Sequence, residues 1–281
     1  MLNFHLFRVK VYPTKQLDLF EHEMSRPELL RKTIFSIPSA ELRKGKIWQI
    51  GNVTEINNTG AYFRVGRVSK STIEVYEDGQ FLDAQFESAP YTHIVLDFNL
   101  ELCAVAKKSR LSPKVSGIAN QIARLLNQSE IGRRFQVKFE LGQINDPKDL
   151  ITHIRRAHSI SKFWMTFARP NLFDVEEDFV KPMEKALDSA DGQTGKAEIK
   201  GDNLNSERLE ELARSAAASG NDASAWIQTE PSTKKVRKNL RGNPVVLTQK
   251  DLSTYDQMTV FYNQMTEIYR KIRGLIDGEE R

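Results

Sequence analysis

Ala61-Tyr62-Phe63-Arg64-Val65 and Thr72-Ile73-Glu74-Val75-Tyr76, the latter running into Glu77-Asp78-Gly79-Gln80, decide the fold of the first half of the chain. Both runs are rich in β-branched and aromatic residues, which suit the pleated surface of a strand. Asp78-Gly79 tolerates the positive φ that a tight hairpin demands. The pattern extends in both directions. Alternation over residues 3–12, then Ile47-Trp48-Gln49-Ile50 and the turn signal Asn57-Asn58-Thr59-Gly60 come before it, and His93-Ile94-Val95-Leu96 comes after. An antiparallel sheet is the simplest product, with one helix from about Pro27 to Phe35 and another near Thr14–Glu23.

From Pro113 the period changes. Ile118, Ile122, Leu125 and Leu126 fall on one helical face, and proline is accepted in a first helical turn. Beyond this helix the chain alternates: strand 134–141, helix 147–156, strand 159–168, helix 175–189, strand 194–200, helix 205–218 and strand 222–228. Asn205 or Ser206 caps the last of these helices and Gly220 ends it. A basic, strand-rich tract follows over 231–248. A terminal helix of about 256–276 carries Met258, Phe261, Tyr262, Met265, Ile268, Tyr269, Ile272 and Ile276, an apolar face that packs by default on its own domain but, being wider than one core contact needs, equally suits pairing with a second copy. The expected class is α+β. It comprises an N-terminal antiparallel-sheet domain (1–112), a linking helix (113–130), a mixed α/β domain with the basic strand region (131–250) and a C-terminal helix (251–281) suited to homodimerisation.

Charge is distributed in blocks that a formal net of +4 conceals. Residues 101–170 carry 13 Lys/Arg against 5 Asp/Glu, 171–230 carry 6 against 14, and 231–250 carry 6 against none. Lys234, Lys235, Arg237, Lys238, Arg241 and Lys250 therefore have no acid nearby in sequence, the pattern of a polyanion site. Lys107, Lys108, Arg110 and Lys114 form a further cluster, as do Arg133 with Arg134 and Arg155 with Arg156. Such a surface binds a nucleic-acid backbone by releasing counterions, with little sequence preference. No zinc finger, ribonucleoprotein signature or helix-turn-helix supplies base readout. The acidic block either faces away from the polyanion or docks on a basic partner protein.

Catalytic chemistry has little to draw on. The lone Cys103 excludes an intramolecular disulfide and lies in the apolar run Leu102-Cys103-Ala104-Val105-Ala106, as a buried small hydrophobe would. His5, His22, His93, His153 and His158 are scattered, so no metal site is expected. Gly192-Gln193-Thr194-Gly195-Lys196-Ala197 has glycines too close together for a phosphate loop and lacks its Ser/Thr. Glu198-Ile199-Lys200 on a strand, with Asp188 or Asp191 upstream, is the one nuclease-like fragment, since an acid and an acid-x-lysine can hold magnesium and orient water. No run approaches the roughly 20 apolar residues of a membrane span, and the start lacks a signal peptide's order. A cytoplasmic location is expected.

The order of elements over 134–276, with Arg169-Pro170-Asn171-Leu172-Phe173-Asp174 leading into a helix and Gly220-Asn221-Asp222-Ala223-Ser224-Ala225-Trp226-Ile227 before the basic strand, resembles the RexA-like phage-exclusion proteins. More distantly it resembles the DNA-associated subunit of Kiwa-type defence systems. The resemblance implies a two-domain homodimer that binds DNA without strong sequence preference and acts in antiphage defence. It carries over no catalytic residue. The combined expectation is a non-enzymatic protein that binds nucleic acid, with double-stranded DNA preferred and no cofactor. The interface would be Lys234, Lys235, Arg237, Lys238 and Arg241 with Lys107, Lys108 and Arg110. A metal-dependent nuclease using Asp191, Glu198 and Lys200, and an interaction subunit of a multi-protein defence system, are the alternatives.

Overall fold

The computed structural model describes residues 1–13, 24–168, 180–190, 192 and 194–274; the helix expected near Thr14–Glu23 lies outside them. β1 (Leu2–Pro13) and α1 (Arg26–Phe35) open the chain, followed by β2 (Ser39–Arg43), β3 (Lys46–Asn57), β4 (Gly60–Glu77), β5 (Gln80–Ser88), β6 (Tyr91–Asp97) and β7 (Leu102–Ala106). Helices α2 (Val115–Asn127) and α3 (Glu130–Arg134) lead to β8 (Val137–Gln143), α4 (Lys148–Arg155), β9 (Ser159–Ala168) and α5 (Val180–Ser189). The chain continues through β10 (Thr194–Lys200), α6 (Ser206–Ala218), β11 (Ala223–Gln228), β12 (Val236–Asn239), β13 (Val246–Gln249) and α7 (Tyr255–Arg273). It is an α+β protein with two antiparallel sheets. Among the described residues no helix is long and apolar enough to cross a membrane.

The elements form two compact units, each assembled from three stretches of chain. Unit one is Met1–Phe4, Pro13–Glu140 and Thr248–Tyr262; unit two is His5–Tyr12, Leu141–Leu247 and Asn263–Arg281.

In unit one the strands run in the order β7-β6-β4-β3-β2. The first part of β4 lies between β3 and β6, and there Ala61, Tyr62, Phe63 and Val65 are buried. All of β7 is buried too, and such continuous apolar runs belong to strands covered on both faces. The helix expected to link two domains, α2, belongs to unit one. Its buried residues, Val115, Ile118, Ala119, Ile122, Leu125 and Leu126, lie against β2, β3 and β7. Periodicity marks an apolar face without saying which neighbour covers it. The strand expected from 134 begins instead at Val137, because Ser129 accepts a hydrogen bond from the Gly132 amide (2.9 Å) and starts the short helix α3. At the β3–β4 turn, a Cβ on Gly60 would sit 2.5 Å from the Tyr262 ring, so only glycine fits. The Tyr262 hydroxyl is positioned by its bonds to Thr59 Oγ1 (2.8 Å) and to Asp97, to which it donates (2.5 Å).

Past Val68, which still pairs with Ile47 of β3, β4 pairs only with β5, in register from Ser69↔Ser88 to Glu77↔Gln80. Asp78 (φ 50°) and Gly79 (φ 83°) close the ribbon with the two positive φ values of a type I′ turn. Ile73, Leu82 and Phe86 are exposed on one ribbon face, while the cross-strand pair Glu74 and Asp83 stands on the other.

In unit two the order is β10-β9-β11-β12, antiparallel throughout. From Lys162 onward β9 alternates: Phe163, Met165 and Phe167 are buried, and Ala223 and Ala225 of β11 join them, while Ile160 and Ile227 are buried beyond a register shift at Trp226/Ile227. Helices α4 and α6 pack on these strands, with Leu209, Leu212, Ala213 and Ala216 buried along α6. Arg155 at the end of α4 forms a bidentate pair with Glu210 of α6 (2.7 and 2.6 Å), and Arg214 donates twice more to the same carboxylate (3.2 and 2.9 Å). The Asn205 side chain caps α6 by accepting from the Arg208 amide (3.1 Å).

Candidate nucleic-acid interface

Strand alternation divides the residues of the second sheet between its two faces. On the face opposite the buried phenylalanines stand Lys162 and Trp164 of β9, Lys196, Glu198 and Lys200 of β10, Ser224 and Trp226 of β11, and Arg237 and Asn239 of β12. The rings and cations interleave. Lys196 Nζ lies 4.6 Å from the centre of the Trp164 ring, Lys162 Nζ lies 4.7 Å from that of Trp226, and the Arg237 guanidinium lies 5.3 Å and 5.1 Å from the two. Arg237 is held in place by donating from Nε to Ser224 Oγ (2.8 Å), while Ser224 donates onward to Asn239 Oδ1 (2.8 Å). A pocket of about 220 Å³ opens beside it, lined by Trp164, Asp222, Ala223, Arg237, Asn239 and Arg241.

The expected basic residues do not all join this face. Arg237 does. Lys238 pairs with Ala225, which is fully buried, so it projects to the helix-covered side and is half-buried. Arg241 is exposed but forms a bidentate pair with Asp222 (3.3 and 2.5 Å). Lys234 and Lys235 are exposed in the connection before β12, and Lys107, Lys108 and Arg110 are exposed in unit one. Sequence reasoning missed Lys162, Trp164, Lys196 and Trp226. The available signal was the alternation Lys162-Phe163-Trp164-Met165-Thr166-Phe167, which puts one tryptophan opposite an apolar row.

The nuclease-like fragment is held in a different arrangement. Lys162 and Lys200 both contact the Glu198 carboxylate (2.9 and 3.0 Å), and their hydrogen bonds hold it down at about 2. Magnesium at Glu198 would have to displace two ammonium groups. Asp191 and the side chain of Asp188 lie outside the described residues, and among those described no group of three acidic, His or Cys side chains is placed to hold a metal. Cys103 is buried, and burial pushes its thiol up, away from nucleophilic use.

Unit one holds a second polar cluster. The Tyr62 hydroxyl bonds His93 Nδ1 (2.8 Å) and accepts from Arg64 Nε (3.0 Å), and the Arg64 guanidinium stacks 4.7 Å from the Tyr91 ring centre. Burial, then Arg64 and Lys108, lowers His93 and favours the neutral ring, which Asp251 opposes.

No protein-family model and no curated protein matches the chain. The stretch from Arg169 to Asp174, part of the resemblance to phage-exclusion proteins, lies outside the described residues.

Proposed function

We propose that this chain binds nucleic acid without strong sequence preference, and that the open sheet face of unit two is its principal contact surface. The supporting observation is the cation row Lys162, Lys196, Lys200 and Arg237 on one solvent-facing sheet surface. Among the described residues Arg237 and Lys196 have no carboxylate partner, so their charge is available to phosphates. Lys234 and Lys235, in the preceding connection, extend the same positive tract. Duplex DNA is the polyanion that the resemblance implies, and a role in antiphage defence is the biological counterpart of that proposal.

Charge reversal tests the reading residue by residue. Arg237→Glu is expected to weaken binding to any sequence most strongly. Arg241→Glu has a smaller effect, because Asp222 already neutralises the wild-type charge, and Lys238→Glu the smallest effect on binding, because its side chain faces the helices. Fluorescence anisotropy with a labelled oligonucleotide at fixed salt checks the ranking. Equal losses at all three positions would remove the sheet face from the interface.

A further inference from the structure

Phosphate binding alone does not account for Trp164 and Trp226. Tryptophan is highly buried on average, yet both rings are only half-buried and sit among cations on the face away from the apolar core. In a duplex the flat faces of the bases are covered by their neighbours at ~3.4 Å steps along each strand, and only base edges and phosphates reach a protein surface. An exposed aromatic face is therefore complementary to a base whose own face is free.

The spacing points the same way. Trp164 lies opposite Ser224, two residues from Trp226, so the tryptophans are diagonal neighbours on adjacent strands, a relation that separates side chains by roughly 7–8 Å. Bases stacked on one another cannot use both rings; bases splayed apart can. Arg237 stands between the rings, and the pocket beside Trp164 offers Asn239 to a base edge.

We infer that the open face of unit two is a stacking platform for an unpaired nucleic-acid strand, with Trp164 and Trp226 each receiving a base and Arg237 engaging the intervening phosphate. This rests on the reading of that face as a nucleic-acid interface. The guanidinium now over the two rings occupies the place a base takes on binding, and it turns outward to the backbone as the strand enters. Lys162 and Lys196 flank the rings on either side, and Lys196, which has no carboxylate partner among the described residues, neutralises the adjoining phosphate.

The test uses the full chain with labelled oligothymidine and oligouridine of about 16 nucleotides, and a mixed-sequence duplex at the same salt. Single strands are expected to bind more tightly than the duplex and to quench tryptophan emission. The third tryptophan, Trp48, is buried in unit one and contributes a constant background. Trp164→Leu and Trp226→Leu should each weaken single-strand binding roughly 5- to 100-fold and leave duplex binding unchanged, with phenylalanine at either position restoring most of the loss. The preference between the two oligomers assigns the strand to DNA or RNA. Duplex binding at least as tight as single-strand binding, with unchanged emission and full affinity in the phenylalanine variants and in folded leucine variants, would overturn the stacking inference while leaving the phosphate contacts standing. Failure of the wild-type chain to bind any of the three would overturn both.

Discussion

His93 is held neutral in unit one by burial, Arg64 and Lys108, while its Nδ1 is engaged by the Tyr62 hydroxyl. Its folded value lies below the ordinary 6.5, so the unfolded chain takes up a proton first as pH falls. The contribution to stability is complete above about pH 6.5 and is lost as pH drops through the lower folded value. Thermal melts between pH 8 and 5 should show the midpoint of unit one falling below pH 6.5, and His93→Gln should flatten that part of the curve. An identical curve for the variant would show that His93 is not the titrating group. The His93 partners could not be read from the chain, because Tyr62, Arg64 and His93 meet only through the β4–β6 register. The same limit applied at Arg237. Its charge was evident in the sequence, but the tryptophans beneath it come from two other strands.

Element boundaries were legible where one periodicity ran unbroken. β9 occupies Ser159–Ala168 as its alternation implies, and the Asn205 cap fixes the start of α6. The ribbon formed by the far ends of β4 and β5 was less so, since turn chemistry sets a hairpin's register but not whether a sheet covers it. For α7 the breadth of the apolar face suggested a partner helix, yet Phe261 and Met265 are fully buried and Phe261 packs on Phe4 with ring centres 4.4 Å apart. Replacing Phe261 or Met265 with Asp should therefore destabilise the fold by about 2–5 kcal/mol or more. The check is a denaturant melt alongside light scattering: a folded, stable variant of halved mass would instead establish α7 as a dimer contact. The β4–β5 ribbon is the more accessible apolar surface, with Ile73, Phe81, Leu82 and Phe86 exposed.

At the scale of the molecule, unit two depends on chain segments far from its middle. The Leu6 amide donates to the Val245 carbonyl (3.2 Å), the Ile144 amide donates to the Leu6 carbonyl (2.9 Å), and the Tyr269 hydroxyl donates to the Ala218 carbonyl (3.0 Å). A fragment of residues 141–247 lacks all of these distant partners and should show no cooperative melt by circular dichroism, whereas the full chain should. A cooperative transition in the fragment would mean that the interleaved segments are dispensable.

Charge blocks, the clearest sequence signal at this scale, acquire a local explanation in the described part of the acidic stretch. Glu198, Glu210, Glu211 and Asp222 each contact lysine or arginine, Glu198 taking Lys162 and Lys200 of the open face itself, while Lys196 and Arg237 of that face have no carboxylate partner among the described residues and act on a ligand. The salt dependence of binding tests that account most directly. For the wild-type chain on a single strand, log affinity should fall linearly with log salt, with a slope of about 0.7 per phosphate neutralised. The triple variant Lys162→Glu, Lys196→Glu, Arg237→Glu should bind far more weakly and with a shallower slope. A folded triple variant with wild-type affinity and slope would contradict the assignment of this face as the nucleic-acid interface.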